Sequence, residues 1–353
     1  MKNLTSIILL IIIAAFTFKG KNTDIHIIAT KGKFPILTTD KFGKTHLVYG
    51  DGENIYYAEL LSNSLEQSKS VLVDKLTGLA LGAKRSPQIA CSDDYIVITA
   101  TTKEGNVFSY NMNRKSGEWS KKIQVNDVAD VAKEGFTAVS GTETSTFYAV
   151  WLDLREDHKN KIYGTKSTDG GKSWSKNYLV YRSPDSTVCE CCKPSIVADK
   201  NQVYVMFRNW LNGSRDMYVA HSIDGAISFP DVQKMGKGTW KLNACPMDGG
   251  GIAMNKKGKL ITVWRRENAI YTNEIGKEEQ EIAKGVNCSI AITSNGSFFV
   301  YENDGKVFLK KPNGNILEIG NGKYPKIASM GADIFCCWQN DGAILGEIIN
   351  GTK

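Results

Sequence analysis

The chain has 353 residues, of which 42% are hydrophobic, and its formal net charge is +7. This apolar content is ample for a packed core, and the length fits one large domain as well as two smaller ones. The basic residues are scattered along the chain rather than clustered, so the charge does not indicate a nucleic-acid-binding protein. A basic surface would nevertheless attract an anionic ligand.

The first 20 residues differ from the rest. Lys2 is followed by an almost unbroken apolar run from Ile7 to Phe18. This run is too short to span a bilayer comfortably and is typical of the central region of a secretory signal peptide. We therefore predict a signal peptide over residues 1–20, with an uncleaved N-terminal anchor as the alternative. The mature protein is expected to be periplasmic or extracellular, without a stable membrane span.

A short pattern recurs seven times after this segment. Each copy has an apolar strand start, a turn, a second apolar strand that ends in an aromatic residue, and a third strand rich in Tyr. The copies begin near Pro35, Pro87, Thr137, Pro194, Gly250, Cys288 and Pro325. Several short strands in each repeat of roughly 40 to 50 residues are typical of a β-propeller. We predict an all-β propeller with seven blades favoured over six.

The two ends of the chain are expected to share one blade. The last copy lacks a fourth strand, and Asp24–Thr30 precedes the first copy with a strand-like pattern. Pairing the two would close the ring and remove an exposed sheet edge. No linker interrupts the repeats, so residues 21–353 are predicted to form a single propeller domain, and we expect it to be monomeric.

Two copies end in a recognisable turn. Residues 167–174 read S-T-D-G-G-K-S-W, and residues 222–229 read S-I-D-G-A-I-S-F. An Asp in such a turn can accept backbone N–H groups, Gly can adopt positive φ, and the aromatic residue packs beneath. The first segment matches the Asp box of sialidase-type propellers, and the second is a weaker copy. The chain therefore resembles the sialidase-like superfamily.

Two cysteine motifs extend this resemblance. They are C-E-C-C at residues 189–192 and C-P-M-D-G-G at residues 245–250. The chain is similar to an exported bacterial subgroup that carries both motifs and is often labelled exo-α-sialidase. Sialidases hold a substrate carboxylate with arginines and protonate the glycosidic oxygen with an Asp. A planar guanidinium suits that task because it grips a carboxylate with two hydrogen bonds.

The resemblance implies candidates for both roles. The substrate-binding candidates are Arg155, Arg208, Arg215 and Arg265, and the catalytic carboxylate candidates are Asp153, Asp248 and Glu267. The expected substrate is an acidic or cell-surface glycan. The sequence departs from the family at the nucleophile, because Asn287 or Cys288 stands where a sialidase has Tyr. The alternative function is therefore a non-catalytic propeller that binds a ligand or a metal.

The cysteines support that alternative. Adjacent blades bring their inner-strand starts together on one face, so Cys189, Cys191, Cys192 and Cys245 are expected to converge at one mouth of the channel. Disulfides are one hypothesis, since the chain is predicted to be exported. A thiolate site for copper or zinc is a second, and a reactive thiol is a third. Only four histidines are present, which argues against a multi-histidine metal site.

Overall fold

The computed structural model describes residues 24–61, 65, 68–185 and 187–351. These residues form seven antiparallel sheets of four strands each, arranged as the blades of a β-propeller, so the predicted seven-bladed all-β fold is confirmed. The described residues contain no α-helix. None of the described segments provides a helix long and apolar enough to cross a membrane. The predicted signal peptide lies outside the described residues.

The first three blades use the strands that follow the N-terminal strand β1 (His26–Ala29). Blade 1 contains β2 (Lys33–Thr39), β3 (Thr45–Asp51), β4 (Asn54–Leu60) and β5 (Val71–Lys75). Blade 2 contains β6 (Gln88–Cys91), β7 (Tyr95–Thr101), β8 (Val107–Asn113) and β9 (Ile123–Gln124). Blade 3 contains β10 (Thr137–Thr142), β11 (Thr146–Asp153), β12 (Lys161–Ser167) and β13 (Tyr178–Tyr181).

The remaining blades repeat this order from the inner strand outward. Blade 4 contains β14 (Ser195–Asp199), β15 (Gln202–Leu211), β16 (Ser214–Ser222) and β17 (Asp231–Lys234). Blade 5 contains β18 (Gly251–Met254), β19 (Leu260–Arg266), β20 (Ala269–Glu274) and β21 (Gln280–Lys284). Blade 6 contains β22 (Val286–Thr293), β23 (Gly296–Asn303), β24 (Lys306–Lys310) and β25 (Ile316–Asn321). Blade 7 contains β26 (Lys323–Met330), β27 (Asp333–Asn340) and β28 (Ala343–Ile349), with β1 outside them.

The N-terminal strand closes the ring as predicted. Strand β1 pairs antiparallel with β28, and His26 lies opposite Gly346. The last blade therefore takes three strands from the C-terminal end of the chain and one from the N-terminal end. This pairing covers the edge of β28, which would otherwise expose unpaired backbone groups.

The core consists of layers between neighbouring blades. The second strands of blades 3, 5 and 7 carry Trp151, Trp264 and Trp338, and each of these indoles is at most 2% exposed. One layer joins Tyr148 of blade 3 to Phe207 of blade 4. Apolar residues on both faces of each blade explain why the second strands read as nearly continuous hydrophobic runs.

Two turns between third and fourth strands have the same hydrogen-bond pattern. Asp169 Oδ1 accepts the backbone N–H groups of Lys172 and Ser173 at 3.0 Å, and Ser173 Oγ donates to Oδ2 at 2.6 Å. Asp224 has the same contacts with residues 227 and 228. The turn around Asp169 also ties blades 2 and 3 together, because Trp174 Nε1 donates to Ser109 Oγ at 2.8 Å.

The Asp169 turn provides a first testable prediction. Asp169→Ala should lower the free energy of unfolding by about 1–2 kcal/mol, because several turn donors lose their acceptor. Urea unfolding followed by Trp fluorescence measures this change. Asp199→Ala, at an exposed position at the end of β14, is the control and should lie within about 0.5 kcal/mol of the wild type. Equal effects for both variants would contradict the structural role of the turn.

Candidate functional site

The inner strands of all seven blades line a central channel with a volume of about 340 Å³. At one end it adjoins a smaller chamber of about 60 Å³. Cys191, Asp248 and Cys288 line this chamber together with three lysines, which are Lys84, Lys193 and Lys326. Residues from blades 1, 6 and 7 complete its wall. Several inner-strand starts therefore converge here, as the blade geometry predicts.

Three of the four predicted cysteines form a buried cluster. They lie in the connection between β13 and β14, and we call Cys189, Cys191 and Cys192 the cysteine trio. All three Sγ atoms lie within 4.8 Å of one another. The Cys189 Sγ atom is 3.7 Å from that of Cys191 and 3.5 Å from that of Cys192. All eight cysteines fall within the described residues, and each is a free thiol.

The surroundings of the trio favour one thiolate. Burial opposes ionisation of Cys192, but hydrogen bonds from Cys189 and Cys191 and the positive charge of Arg208 hold its pKa well below the usual value. The hydrogen bonds that Cys191 donates to the other two thiols, together with burial, raise its pKa. The hydrogen bond from Cys191 lowers the pKa of Cys189, but its bond to Cys192 and burial outweigh this and raise it to about 12.

Arg215 contacts the trio directly. Its Nη1 atom lies 2.9 Å from Cys189 Sγ and 3.2 Å from a carboxylate oxygen of Glu190. The guanidinium also lies 4.5 Å from the centre of the Trp210 ring and is almost fully buried. Cys245 stands outside the trio: it is exposed, and its Sγ atom is 3.8 Å from Glu190 Oε1. Sequence reasoning grouped it with the trio because its motif also precedes an inner strand.

Arg208 is buried, and it makes its hydrogen bonds within the protein rather than at the surface. It is 1% exposed, and its guanidinium donates four hydrogen bonds, all to backbone carbonyl oxygens. Two go to Asp248 at 3.0 and 3.2 Å, one goes to Arg215 at 2.8 Å, and one goes to Arg265 at 2.9 Å. These bonds join blade 4 to blade 5 behind the trio. Its predicted role as a substrate-binding group stays a prediction that these contacts do not favour.

The other predicted residues of blade 5 lie near the chamber. Asp248 is 2% exposed, and its Oδ2 atom is 3.6 Å from Arg265 Nη1 and 3.2 Å from the backbone N of Asn287. Arg265 is partly exposed and lies over the ring of Trp240. Glu267 is exposed in the β19–β20 turn, where its backbone carbonyl accepts a hydrogen bond from Arg265. Of the three catalytic candidates, Asp248 is thus the one that lines the chamber.

Arg155 and Asp153 form a separate pair between blades 2 and 3. Asp153 is fully buried, and Arg155 Nε and Nη2 each donate to one of its carboxylate oxygens at 2.9 Å. Arg155 Nη1 also lies 3.1 Å from Asp127, and its guanidinium stacks 4.0 Å from the Tyr163 ring centre. Neither Arg155 nor Asp153 lines the chamber. The structure therefore does not bring this pair together with the trio.

The lysines of the chamber were missed by the sequence analysis. Burial, together with the neighbouring charge of Lys326, lowers the pKa of Lys193 to about 7. Burial also lowers the pKa of Lys326, whereas Cys288 and Asp248 act in the opposite direction. A signal existed in the sequence, since Lys193 precedes Pro194 and Lys326 follows Pro325 at the starts of inner strands. A Lys beside such a Pro lies at the channel rather than on the outer surface.

The trio has the chemistry and spacing of a metal site. Three sulfurs bound to one zinc-sized ion at about 2.3 Å would lie about 3.8–4.0 Å apart. The two closest sulfur–sulfur distances of the trio, 3.5 and 3.7 Å, need only small adjustments to fit. Thiolate ligands select copper(I) or zinc among common metals. Arg208 and Arg215 supply positive charge that would offset part of the charge of three thiolates.

Comparisons with known proteins show the fold but no family. No protein-family model matches the chain, and no curated protein does. A structural neighbour is virginiamycin B lyase from Staphylococcus aureus, with 15% identity, a TM-score of 0.56, and coverage of 92% of this chain and 98% of that one.

Two further structural neighbours share the propeller fold but are described as different proteins. An ulvan lyase has 11% identity, a TM-score of 0.56, and coverage of 92% of this chain and 95% of its own. AofleA from Arthrobotrys oligospora has 13% identity, a TM-score of 0.53, and coverage of 85% of this chain and 90% of its own. At these identities the likeness extends to the fold alone. The class defined by the fold is thus a seven-bladed β-propeller, and the cysteine trio at its channel mouth is the particular feature of this chain.

Proposed function

We propose that this protein is a metal-binding propeller whose cysteine trio holds one thiophilic ion, copper(I) or zinc. The observation that carries the proposal is the group of three buried Sγ atoms within 4.8 Å of one another. Buried thiols usually act as small hydrophobic residues. Three of them on one short segment, facing each other beside two buried arginines, are better explained by ligation of an ion.

The protonation of the trio determines how metal binding would depend on pH. Cys192 is the favoured thiolate, whereas Cys189 and Cys191 hold their protons more tightly. Metal ligands must be deprotonated, so binding would release protons and strengthen as the pH rises. The N–H···S hydrogen bond from Arg215 to Cys189 would persist after deprotonation and orient that ligand.

The test is to load the purified protein with copper(I) or zinc and to measure metal per chain after gel filtration. We expect one ion per chain in the wild type. Cys191→Ser should weaken affinity at least about 100-fold in competition with a chromophoric chelator, because one of three ligands is lost. Cys245→Ser is the matched control, since its exposed Sγ atom lies outside the trio, and it should bind as the wild type does.

Two other outcomes would overturn the proposal. If neither ion stays with the wild type, or if Cys191→Ser binds as tightly as the wild type, the trio is not a metal site. Thiol titration of the denatured, unreduced protein distinguishes a metal site from the competing hypothesis, which is that the cysteines form disulfides. Fewer than eight thiols would indicate disulfides, as considered for an exported chain. Circular dichroism of each variant verifies that the fold is retained.

A second candidate function is glycoside hydrolysis of an acidic glycan, as the sialidase-like resemblance implies. The Asp169 and Asp224 turns favour this superfamily, and Asp248 would be the general acid. Against it, Arg208 and Arg215 already donate to groups of the protein. A fluorogenic sialoside in the same preparations tests this candidate, and we expect no turnover.

We further propose that the protein is exported to the periplasm or the cell exterior. Support comes from the apolar run between Ile7 and Phe18, which lies outside the described residues. An exported site for copper or zinc would meet its ion outside the reducing cytosol.

A further inference from the structure

The chamber beside the trio carries a second, independent feature, which is an excess of positive charge. The chamber has a volume of about 60 Å³ and is lined by one carboxylate and three lysines, which are Lys84, Lys193 and Lys326. The carboxylate is Asp248, which already contacts Arg265 and the backbone of Asn287. The chamber therefore holds more lysine amino groups than its single carboxylate can pair with.

The adjoining channel has the same sign of charge. The channel has a volume of about 340 Å³. The described residues that line it include Lys193 and Lys326 but no Asp or Glu. Lys193 Nζ donates one hydrogen bond, to the backbone oxygen of Pro194 at 3.2 Å. Within the described residues, the side chains of Lys84 and Lys326 have neither a hydrogen bond nor an ion pair. Donors of this kind, turned into an enclosed space, remain free for a ligand.

We propose that this chamber is a binding site for a small oxoanion group, held by Lys193 and Lys326 with Lys84 at its side. Enclosed ammonium groups repel one another unless an anion lies between them. The volume suits such a group, because one water needs roughly 10–15 Å³ of space and the chamber of about 60 Å³ contains about four to six such volumes. The ligand is a free oxoanion or the acidic group of a sugar.

The inference goes beyond the metal-binding function and does not depend on it. Lys326 lies in β26 of blade 7 and Lys84 lies before β6, whereas Lys193 directly follows Cys192 of the trio in the connection before β14. Cys191 borders both sites, so an anion and a metal ion could occupy them side by side. Anion binding can be measured on protein without metal, so a negative result would leave the metal proposal standing.

The test is isothermal titration calorimetry of the purified, metal-free protein with inorganic phosphate and, separately, with glucuronate. We expect at least one of them to bind to the wild type with an affinity that falls as the salt concentration rises. Lys326→Met should weaken that binding at least about tenfold. Lys323→Met is the matched control, since Lys323 is an exposed lysine at the start of the same strand and should leave binding unchanged.

A thermal-unfolding readout keeps the test decisive if Lys326→Met alters the fold. The ligand that binds should raise the melting temperature of the wild type and of Lys323→Met, and should leave that of Lys326→Met unchanged. Lys193→Met should behave as Lys326→Met does.

Each outcome has one meaning. Binding of phosphate identifies a free oxoanion as the ligand, and binding of glucuronate alone identifies an acidic sugar. Absence of binding for both probes at millimolar concentration would overturn the proposal. Equal binding by the wild type and Lys326→Met would overturn it as well.

Discussion

Arg208→Met is expected to lower the free energy of unfolding by about 3–5 kcal/mol. The guanidinium of Arg208 makes four hydrogen bonds to carbonyl oxygens of Asp248, Arg215 and Arg265. Methionine fills much of the same space but donates nothing, so these buried acceptors would lose their partners. Each unpaired buried acceptor costs about 1–3 kcal/mol, and relief from burying a charge offsets part of the total.

The same variant should also change the chemistry of the trio. Arg208 is one of the groups that lower the pKa of Cys192, so its removal should raise that pKa. The pH dependence of thiolate ultraviolet absorbance in metal-free protein measures this shift. Arg208→Lys separates the two effects, because lysine keeps the charge but cannot make four bonds. Arg208→Lys should lose stability and yet keep the pKa of Cys192 below its usual value.

The control for Arg208 is an arginine of the exposed surface. Arg182 pairs with Glu156 at the surface, and Arg182→Met should cost less than about 1 kcal/mol. Chemical denaturation of both variants under identical conditions gives the comparison. A loss for Arg208→Met no larger than that for Arg182→Met would mean that the network joining blades 4 and 5 adds little stability.

The blades were predictable because their determinants are local. Alternating apolar residues and short turns specify each hairpin, and the missing fourth strand of the last copy indicated pairing with the N-terminal strand. Sequence reasoning expected Cys189, Cys191, Cys192 and Cys245 to converge at one channel mouth, since each motif directly precedes an inner strand, and the structure brings only the first three together. Features that depend on a few residues close together in the chain can be predicted from a single sequence.

The roles of the charged residues were not predictable in this way. Arg208 is buried because segments around residues 215, 248 and 265 fold over it, and nothing within its own strand indicates that. Lys193 lies before β14 and Lys326 lies in β26, so these two lysines are far apart in the sequence although both line the channel. Long-range contacts decide whether a charged side chain faces water, another blade or the channel.

Asp40→Asn is expected to lower the free energy of unfolding by about 3–5 kcal/mol at neutral pH. Asp40 is buried, and its Oδ2 atom lies 2.8 Å from Arg114 Nη1 and 3.2 Å from His46 Nε2. Its Oδ1 atom accepts the backbone N–H groups of Phe42 and Lys44 at 2.9 Å. The carboxylate thus joins blade 1 to Arg114 of blade 2, and an amide would leave that guanidinium without its counter-charge.

The pH dependence of this loss identifies its cause. Burial raises the pKa of Asp40, but hydrogen bonds from His46 and Lys44 and the charges of His46 and Arg114 outweigh it and lower the pKa from 3.8 to about 2. A depressed carboxyl pKa stabilises the fold above the unfolded-state value and loses that contribution as the pH falls through the folded-state value. The stability difference between the wild type and Asp40→Asn should therefore shrink between about pH 4 and pH 2.

The control is Glu59→Gln, which removes the partner of Lys44 at the surface and should cost less than about 1 kcal/mol. A difference that stays constant as the pH falls would mean that the Asp40 side chain stabilises by packing rather than by its charge.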